Sequence, residues 1–186
     1  MEDGSIRIAK AADAAAIAII HVESWRETYT GIVPDHVLAG LSEDQRTVRW
    51  HRILCDPTTF YSSVVLVAER KGAIFGFSCC GMQRTETLRA QGYDGEVSSI
   101  YILRSSQRQG FGSALMGAMA RELRRRQLHA ASLWVLRENA SARGFYERIG
   151  GEIVGEKEDI GRRGVFIEVA YGWRNLAELV ERTTSH

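Results

Sequence analysis

Between Glu96 and Leu136 the chain runs through an apolar stretch, a turn with two glycines, an amphipathic stretch and a second apolar stretch, an order that admits few folds. Glu96 to Leu103 reads as a strand and Ala131 to Leu136 as another. Between them, Gly110 to Arg126 reads as a helix with Ala114, Leu115, Ala118, Met119 and Leu123 on one face. A strand, helix, strand unit of this length closes as a right-handed crossover between parallel strands. The turn Gln107-Arg108-Gln109-Gly110-Phe111-Gly112-Ser113 then opens the helix. Its glycines lack the Cβ atoms that would hold a ligand off the backbone, and a helix start presents unpaired N–H groups and the positive dipole end. Such a turn suits an anion, most naturally a diphosphate; the bland alternative is a tight turn that binds nothing.

The flanking segments predict the rest of an α/β or mixed-sheet single domain spanning 1–186, with 173–186 as a C-terminal tail. A strand is expected at Ser5–Ala9, helices at Ala11–Thr30 and about Pro34–Ala39, and a helix from a Ser42/Gln45 capping box to about Leu54. Tyr61–Glu69 and Ile74–Gly81 read as a hairpin about Arg70-Lys71-Gly72-Ala73, and Met82–Gly95 as a loop. Asn139–Ile149 reads as a helix, about Glu152–Glu158 and Gly164–Tyr171 as strands, and Asn175–Arg182 as a helical turn or two.

Composition limits the partners. With 24 Lys+Arg against 23 Asp+Glu, the formal charge is +1, which argues against a whole surface devoted to nucleic acid or membrane. The run Ala11–Ile20 is too short to span a bilayer and is broken by Asp13, so a cytoplasmic protein is expected. Cys55, Cys79 and Cys80 suggest two or three reduced core thiols rather than a disulfide framework. The five histidines show no ligand spacing, so no metal is expected.

A lone Gly-x-Gly does not choose its nucleotide. A dinucleotide fingerprint wants a third glycine where Leu115 stands, and the 48 residues beyond Glu138 cannot build a second mononucleotide half. No Gly-Lys-Ser/Thr follows, so the turn is not a Walker loop. Gln107, Gly110 and Gly112, however, fill a Gln/Arg-x-x-Gly-x-Gly/Ala pattern, and Asn139 is followed seven residues later by Tyr146. Together these segments resemble the acetyl-CoA-binding core of the GCN5-related N-acetyltransferases (GNAT), and the order of elements is similar along essentially the whole chain.

That resemblance implies a mixed central sheet with a splayed parallel strand pair and flanking helices, and acetyl-CoA as cosubstrate. It implies that main-chain groups of Ile100, Tyr101 and Ile102 pair with the pantetheine, one N–H polarising the acetyl carbonyl. Gln107, Arg108, Gln109, Gly110, Phe111, Gly112 and Ser113 would then wrap the diphosphate, with Asn139 on the cofactor arm and Arg143 reaching a phosphate. Tyr146 would protonate the departing thiolate. A free alkyl amine is almost wholly protonated at neutral pH, so something must take its proton. Glu96 is the candidate; the alternative is an ordinary carboxylate at a strand start. Ser98 and Ser99 should alternate, one toward the acetyl site and one packed.

In the family the first two helices and the loop before the Glu96 strand cover the acceptor. Here they hold Trp25 and Tyr29 on one helical face, with Glu23 and Glu27 beside them, and the stretch Arg84–Asp94. The aromatics either cradle an amine or pack into the core. Residues 1–60 carry nine acids against six bases, which favours a cationic acceptor. The expected activity is acetyl transfer to a primary amine of a small molecule, such as an amino acid analogue, polyamine or antibiotic-like amine. The alternatives are a peptide or protein N-terminus as acceptor, or a non-catalytic acyl-CoA sensor. Family habit adds a homodimer as one expected state. The charge is unevenly spread: six arginines face one acid between Arg104 and Arg126, in the proposed cofactor segment.

Overall fold

The structure is a computed structural model and describes residues 4–58, 60–161 and 164–184. Among them the Val-, Ile- and Phe-rich runs become seven strands: β1 (Gly4–Ile8), β2 (Val64–Arg70), β3 (Ala73–Met82), β4 (Gly95–Ile102), β5 (Ala131–Leu136), β6 (Glu152–Gly161) and β7 (Gly164–Trp173). The helices are α1 (Ala14–Tyr29), α2 (Asp35–Ala39), α3 (Glu43–Cys55), α4 (Glu86–Ala90), α5 (Phe111–Arg125), α6 (Ala140–Arg148) and α7 (Leu176–Thr184). One sheet runs β1-β2-β3-β4-β5-β7-β6, with β4 and β5 parallel and every other pair antiparallel.

Period-two patterning feeds two cores, one on each face of the sheet. Val64, Leu66 and Ala68 point to the face covered by Leu115, Met119 and Leu123 of α5 and by Leu176 and Leu179 of α7. Val65 and Val67 point to the face covered by Ile17 and Ile20 of α1 and by Trp50 and Ile53 of α3. Adjacent Cys79 and Cys80 therefore lie in opposite cores as free thiols, whereas Cys55 is exposed rather than in the core. The hairpin turn is as expected, with Lys71 and Gly72 both at positive φ, and Ser42 Oγ accepts from the Gln45 amide at 3.2 Å to start α3.

Two segments differ from expectation. The loop Met82–Gly95 contains α4, which a single buried residue, Leu88, anchors against Tyr93, Ala130 and Ala170; one apolar residue gives no readable period. The tail is a nine-residue helix, α7, docked on α5. Its approach depends on Gly117, where an added Cβ would run into Thr183 Oγ1. Gly117→Ala gains up to about 1 kcal/mol of helix propensity, but overpacking costs about 1–3 kcal/mol. A net loss is expected in urea unfolding, partly recovered when Thr183→Ala is added.

Candidate active site

The parallel pair is what opens the sheet. β4 and β5 share only the rungs Gly95↔Ala131 and Glu96↔Ser132, after which they diverge. Side chains close the narrow end: buried Gln83 Nε2 donates to Gly95 O at 3.2 Å and to Ser132 Oγ at 2.6 Å, and the half-buried Asp94 carboxylate accepts from the amides of His129 and Ala130 at 3.0 Å. A bulge in β4 sits just beyond, since Cys79 pairs with Ser99 and Cys80 with Val97, leaving Ser98 as the extra residue. The bulge breaks the expected alternation: neither Ser98 nor Ser99 packs in a core, and both line the opening.

That opening is a cavity of about 990 Å³. On one side lies the β5-facing edge of β4, where Ile100, Tyr101 and Ile102 have no strand opposite them among the described residues. At the far end α5 begins after Gly110, whose φ of 87° is open to glycine at little cost and which offers no side-chain cap. The first bond into α5 is from the Ala114 amide to Gly110 O, 3.0 Å, so the amides of Phe111, Gly112 and Ser113 are left at the helix end. The glutamines shape this turn: Gln107 Nε2 donates to Ile102 O at 2.9 Å, and Gln109 Oε1 accepts from Arg70 at 2.7 Å. Arg108, with φ of 59°, turns the chain toward the cavity it lines. At Gly112 a Cβ would stand 3.3 Å from the Phe145 ring, so this glycine also lets α6 approach.

Other expected cofactor residues are arranged differently. The Phe111 ring is buried against Phe75 in the core, leaving only its backbone for a ligand. Arg143 does not line the cavity: its guanidinium donates to the Tyr171 hydroxyl at 3.2 Å and to Arg137 O at 3.1 Å, while Arg148 from the next turn does line it. Asn139 Oδ1 caps α6 through the Ala142 amide at 3.1 Å, and its side chain also bonds the Tyr29 phenol. Ser24, unremarked in the sequence, lines the cavity with a buried Oγ that has no hydrogen-bond partner among the described residues.

Three phenols meet where the strands part. Tyr146 is buried, its ring packed against Trp173 and Tyr171, and its hydroxyl has no hydrogen-bond partner among the described residues. Burial and the nearby Tyr101 push its pKa well above that of a free phenol, so it keeps its proton. Burial does the same to Tyr29, which hydrogen-bonds with Tyr101 and Asn139. Tyr101 accepts from the Trp25 indole at 3.0 Å and stacks on His21, ring centroids 5.1 Å apart. His21 Nδ1 in turn accepts from Trp50 Nε1 at 3.1 Å, and burial, helped by Arg46 and Arg49, pushes its pKa down to about 3.

A second cavity, of about 290 Å³, shares Tyr29, Val97, Ser98, Tyr101, Trp134 and Val135 with the first. Trp25 and Tyr29 both line it, as does Arg84 from the segment before β4. Glu96 is there too, but Arg84 holds it through both carboxylate oxygens, and the Arg84 amide adds a third bond at 3.0 Å. Both oxygens of the Glu96 carboxylate are thus already committed to Arg84. Glu27 is turned the other way, accepting from the Arg104 amide at 2.9 Å on the larger cavity, and Glu23 is exposed. The far wall comes from the β6–β7 hairpin, as Lys157, Asp159, Phe166 and Glu168. No motif pointed to these four.

The larger cavity meets the demands of a CoA thioester on physical grounds: an unpaired strand edge for an amide-bearing arm, helix-end amides for a diphosphate, and a buried hydroxyl wanting a partner. Residues 22–151 match the family described as "Acetyltransferase (GNAT) family". The chain is 35% identical over 176 residues, 94% of its length and 95% of the relative's, to the uncharacterized N-acetyltransferase YuaI of Bacillus subtilis. It is 24% identical over 115 residues, 61% of its length and 64% of the relative's, to an L-methionine sulfoximine/L-methionine sulfone acetyltransferase of Pseudomonas aeruginosa. Among solved structures, the PaiA N-acetyltransferase of Thermoplasma acidophilum in complex with coenzyme A superposes with a TM-score of 0.70 at 16% identity, covering 89% of this chain and 97% of that one.

Proposed function

Because the chain belongs to the GNAT acetyltransferase family, and is thus an acetyl-CoA-dependent N-acetyltransferase, we propose that its acceptor is the primary amine of a small molecule. The carrying observation is the second cavity. Its volume of about 290 Å³ is roughly ten times the ~30 Å³ share of one water in the liquid, room for about ten non-hydrogen atoms. Aromatic walls from Trp25, Tyr29, Tyr101, Trp134 and Phe166, with three carboxylates against two cations, suit an ammonium on a compact body. The acetyltransferase relative that acts on methionine sulfoximine and methionine sulfone supports an acceptor of amino acid size.

In this reading the open edge of β4 at Ile100, Tyr101 and Ile102 holds the pantetheine arm, and one of its N–H groups faces the acetyl carbonyl. The turn from Gln107 to Ser113 holds the diphosphate through backbone amides, with Arg108 and Arg148 adding positive charge. Bound acetyl-CoA supplies an activated acyl group whose C–S bond breaks as a C–N bond forms. Tyr146 gives its proton to the departing sulfur. Asn139 serves by fixing α6, and so Tyr146, against Tyr29. Glu96 acts by fixing Arg84 in the acceptor cavity, and the amine's proton leaves through water along the acidic wall. A cytoplasmic setting fits the three free thiols, and a homodimer fits the exposed Ile153 and Val165 on the outer hairpin.

A panel of amines assayed for released CoA thiol tests the proposal. Amino acid analogues of the size of L-methionine sulfoximine should give the highest kcat/KM, with larger polyamines and aminoglycoside-like amines behind. Turnover confined to peptide N-termini would show that the acceptor is a polypeptide.

A further inference from the structure

Two parts of the acceptor cavity's wall lie close enough to act on one cation: the exposed-side face of Trp134 and the carboxylate of Glu168. Neither is vacant. Lys157 Nζ lies 4.2 Å from the centre of the Trp134 ring and 3.1 Å from Glu168 Oε2, and all three residues line the cavity. The arrangement follows from sheet register. Lys157 stands opposite Glu168 across β6 and β7, and Glu168 stands opposite Leu136 on β5, two residues beyond Trp134. An ammonium over an indole face with a carboxylate beside it is the chemistry that would recognise an amine substrate. Of the chain's three lysines, Lys10 and Lys71 are exposed elsewhere, and Lys157 alone lines either cavity.

We propose that the Trp134 face and the Glu168 carboxylate form the ammonium subsite of the acceptor cavity, and that Lys157 occupies it in the free enzyme until the acceptor's own ammonium displaces it. The inference rests on the small-amine reading and deepens it. The lysine's hold suits a displaceable occupant: its side chain is 44% exposed, and ion pairs and cation–π contacts at such exposure are weak. The arriving ammonium takes over the carboxylate, and Lys157 swings to solvent with its charge intact. Selectivity follows, since a neutral or anionic acceptor gains nothing from the exchange.

Tetramethylammonium is the probe, because it carries the charge and cannot be acetylated. Titrated calorimetrically into the intact protein, it should bind Lys157→Met about two- to fivefold more tightly than the parent, the factor expected for losing one exposed cation–π competitor. Glu168→Gln and Trp134→Leu should each weaken binding by a similar factor, with Trp134→Phe intermediate because it keeps a π face. A plain electrostatic effect of deleting one positive charge would persist in the Glu168→Gln background. Displacement from a shared subsite predicts instead that the Lys157→Met gain shrinks there, a non-additivity read from the double-mutant cycle. Unchanged or weaker binding in Lys157→Met, or strictly additive effects, would overturn the inference. Since the titration needs no turnover, an amine panel without a substrate would sink the small-amine reading alone.

Discussion

Tyr146→Phe is expected to lower kcat by about 10²-fold, near the bottom of the 10²–10⁴ range for removal of a positioned general acid. The lower end is chosen because the leaving group is a thiol, whose ordinary pKa near ~8.5 makes its anion far less demanding than an alkoxide. A hundredfold corresponds to about 2.7 kcal/mol of barrier at 1.36 kcal/mol per decade. The substitution isolates chemistry from folding: the ring stays packed between Trp173 and Tyr171, and the hydroxyl forfeits no bond to the described residues. KM for acetyl-CoA should therefore stay within about twofold, since the cofactor is held by the β4 edge and the α5 end. The raised pKa has a second consequence. The phenol remains protonated above the range of a free tyrosine, so any alkaline fall in kcat below that range belongs to another group and should persist in the variant. Undiminished kcat in Tyr146→Phe would take the acid role from this residue.

Which parts of this site could be read from sequence depends on how far apart the cooperating residues lie. The turn from Gln107 to Ser113 and the pair Asn139 and Tyr146 are legible because each is set by local geometry, a glycine turn into a helix or a cap followed by two turns of helix. The orientation of α6 is not local. The sequence points to Arg143 as the phosphate ligand and not to Arg148, and the contact of Arg143 with Tyr171 on β7 accompanies its turning away from the cavity that Arg148 lines. Glu96 illustrates the same limit, since its clamp comes from Arg84 across twelve residues of loop and short helix. The divergence of β4 and β5 is implied only by family resemblance; its physical origin, the bulge at Ser98 beyond the Gln83 tie, leaves no pattern in hydrophobicity. Lys157, Asp159, Phe166 and Glu168 reach the acceptor cavity because β7 inserts beside β5, a matter of sheet order rather than spacing. Opposed by register, Lys157 and Glu168 look in sequence like unremarkable strand charges.

The protein should lose about 2 kcal/mol of stability between about pH 7.5 and about pH 5 through His21 alone, at 1.36 kcal/mol per unit of pKa difference. The sign follows from the proton count. In the unfolded chain this histidine titrates near ~6.5. In the folded protein its pKa is about 3, so as the pH falls between these values the unfolded state takes up a proton that the folded state refuses. Stability is present in full above the unfolded value and drains away toward the folded one. Geometry explains the refusal: Nδ1 is committed to accepting from Trp50, and a second ring proton would set one N–H against another inside an aromatic cage of Trp25, Trp50, Phe77 and Tyr101. Asp13 does not confuse the window. Its carboxyl is held below the ordinary value by hydrogen bonding with Arg7, so its contribution is lost only below about pH 4. His21→Gln keeps an acceptor for the Trp50 indole but cannot titrate, so it should be less stable at neutral pH from lost packing, with a flatter decline on acidification. Urea unfolding of both proteins at a series of pH values supplies the slopes, and equal slopes would remove His21 as their source. The same neutrality protects the site. His21 stacks on Tyr101, whose hydroxyl bonds Trp25 and whose strand edge is the proposed pantetheine rail. Because the folded protein keeps His21 neutral across this window, affinity of the folded protein for acetyl-CoA should stay flat between about pH 7.5 and about pH 5, in the parent and in His21→Gln alike.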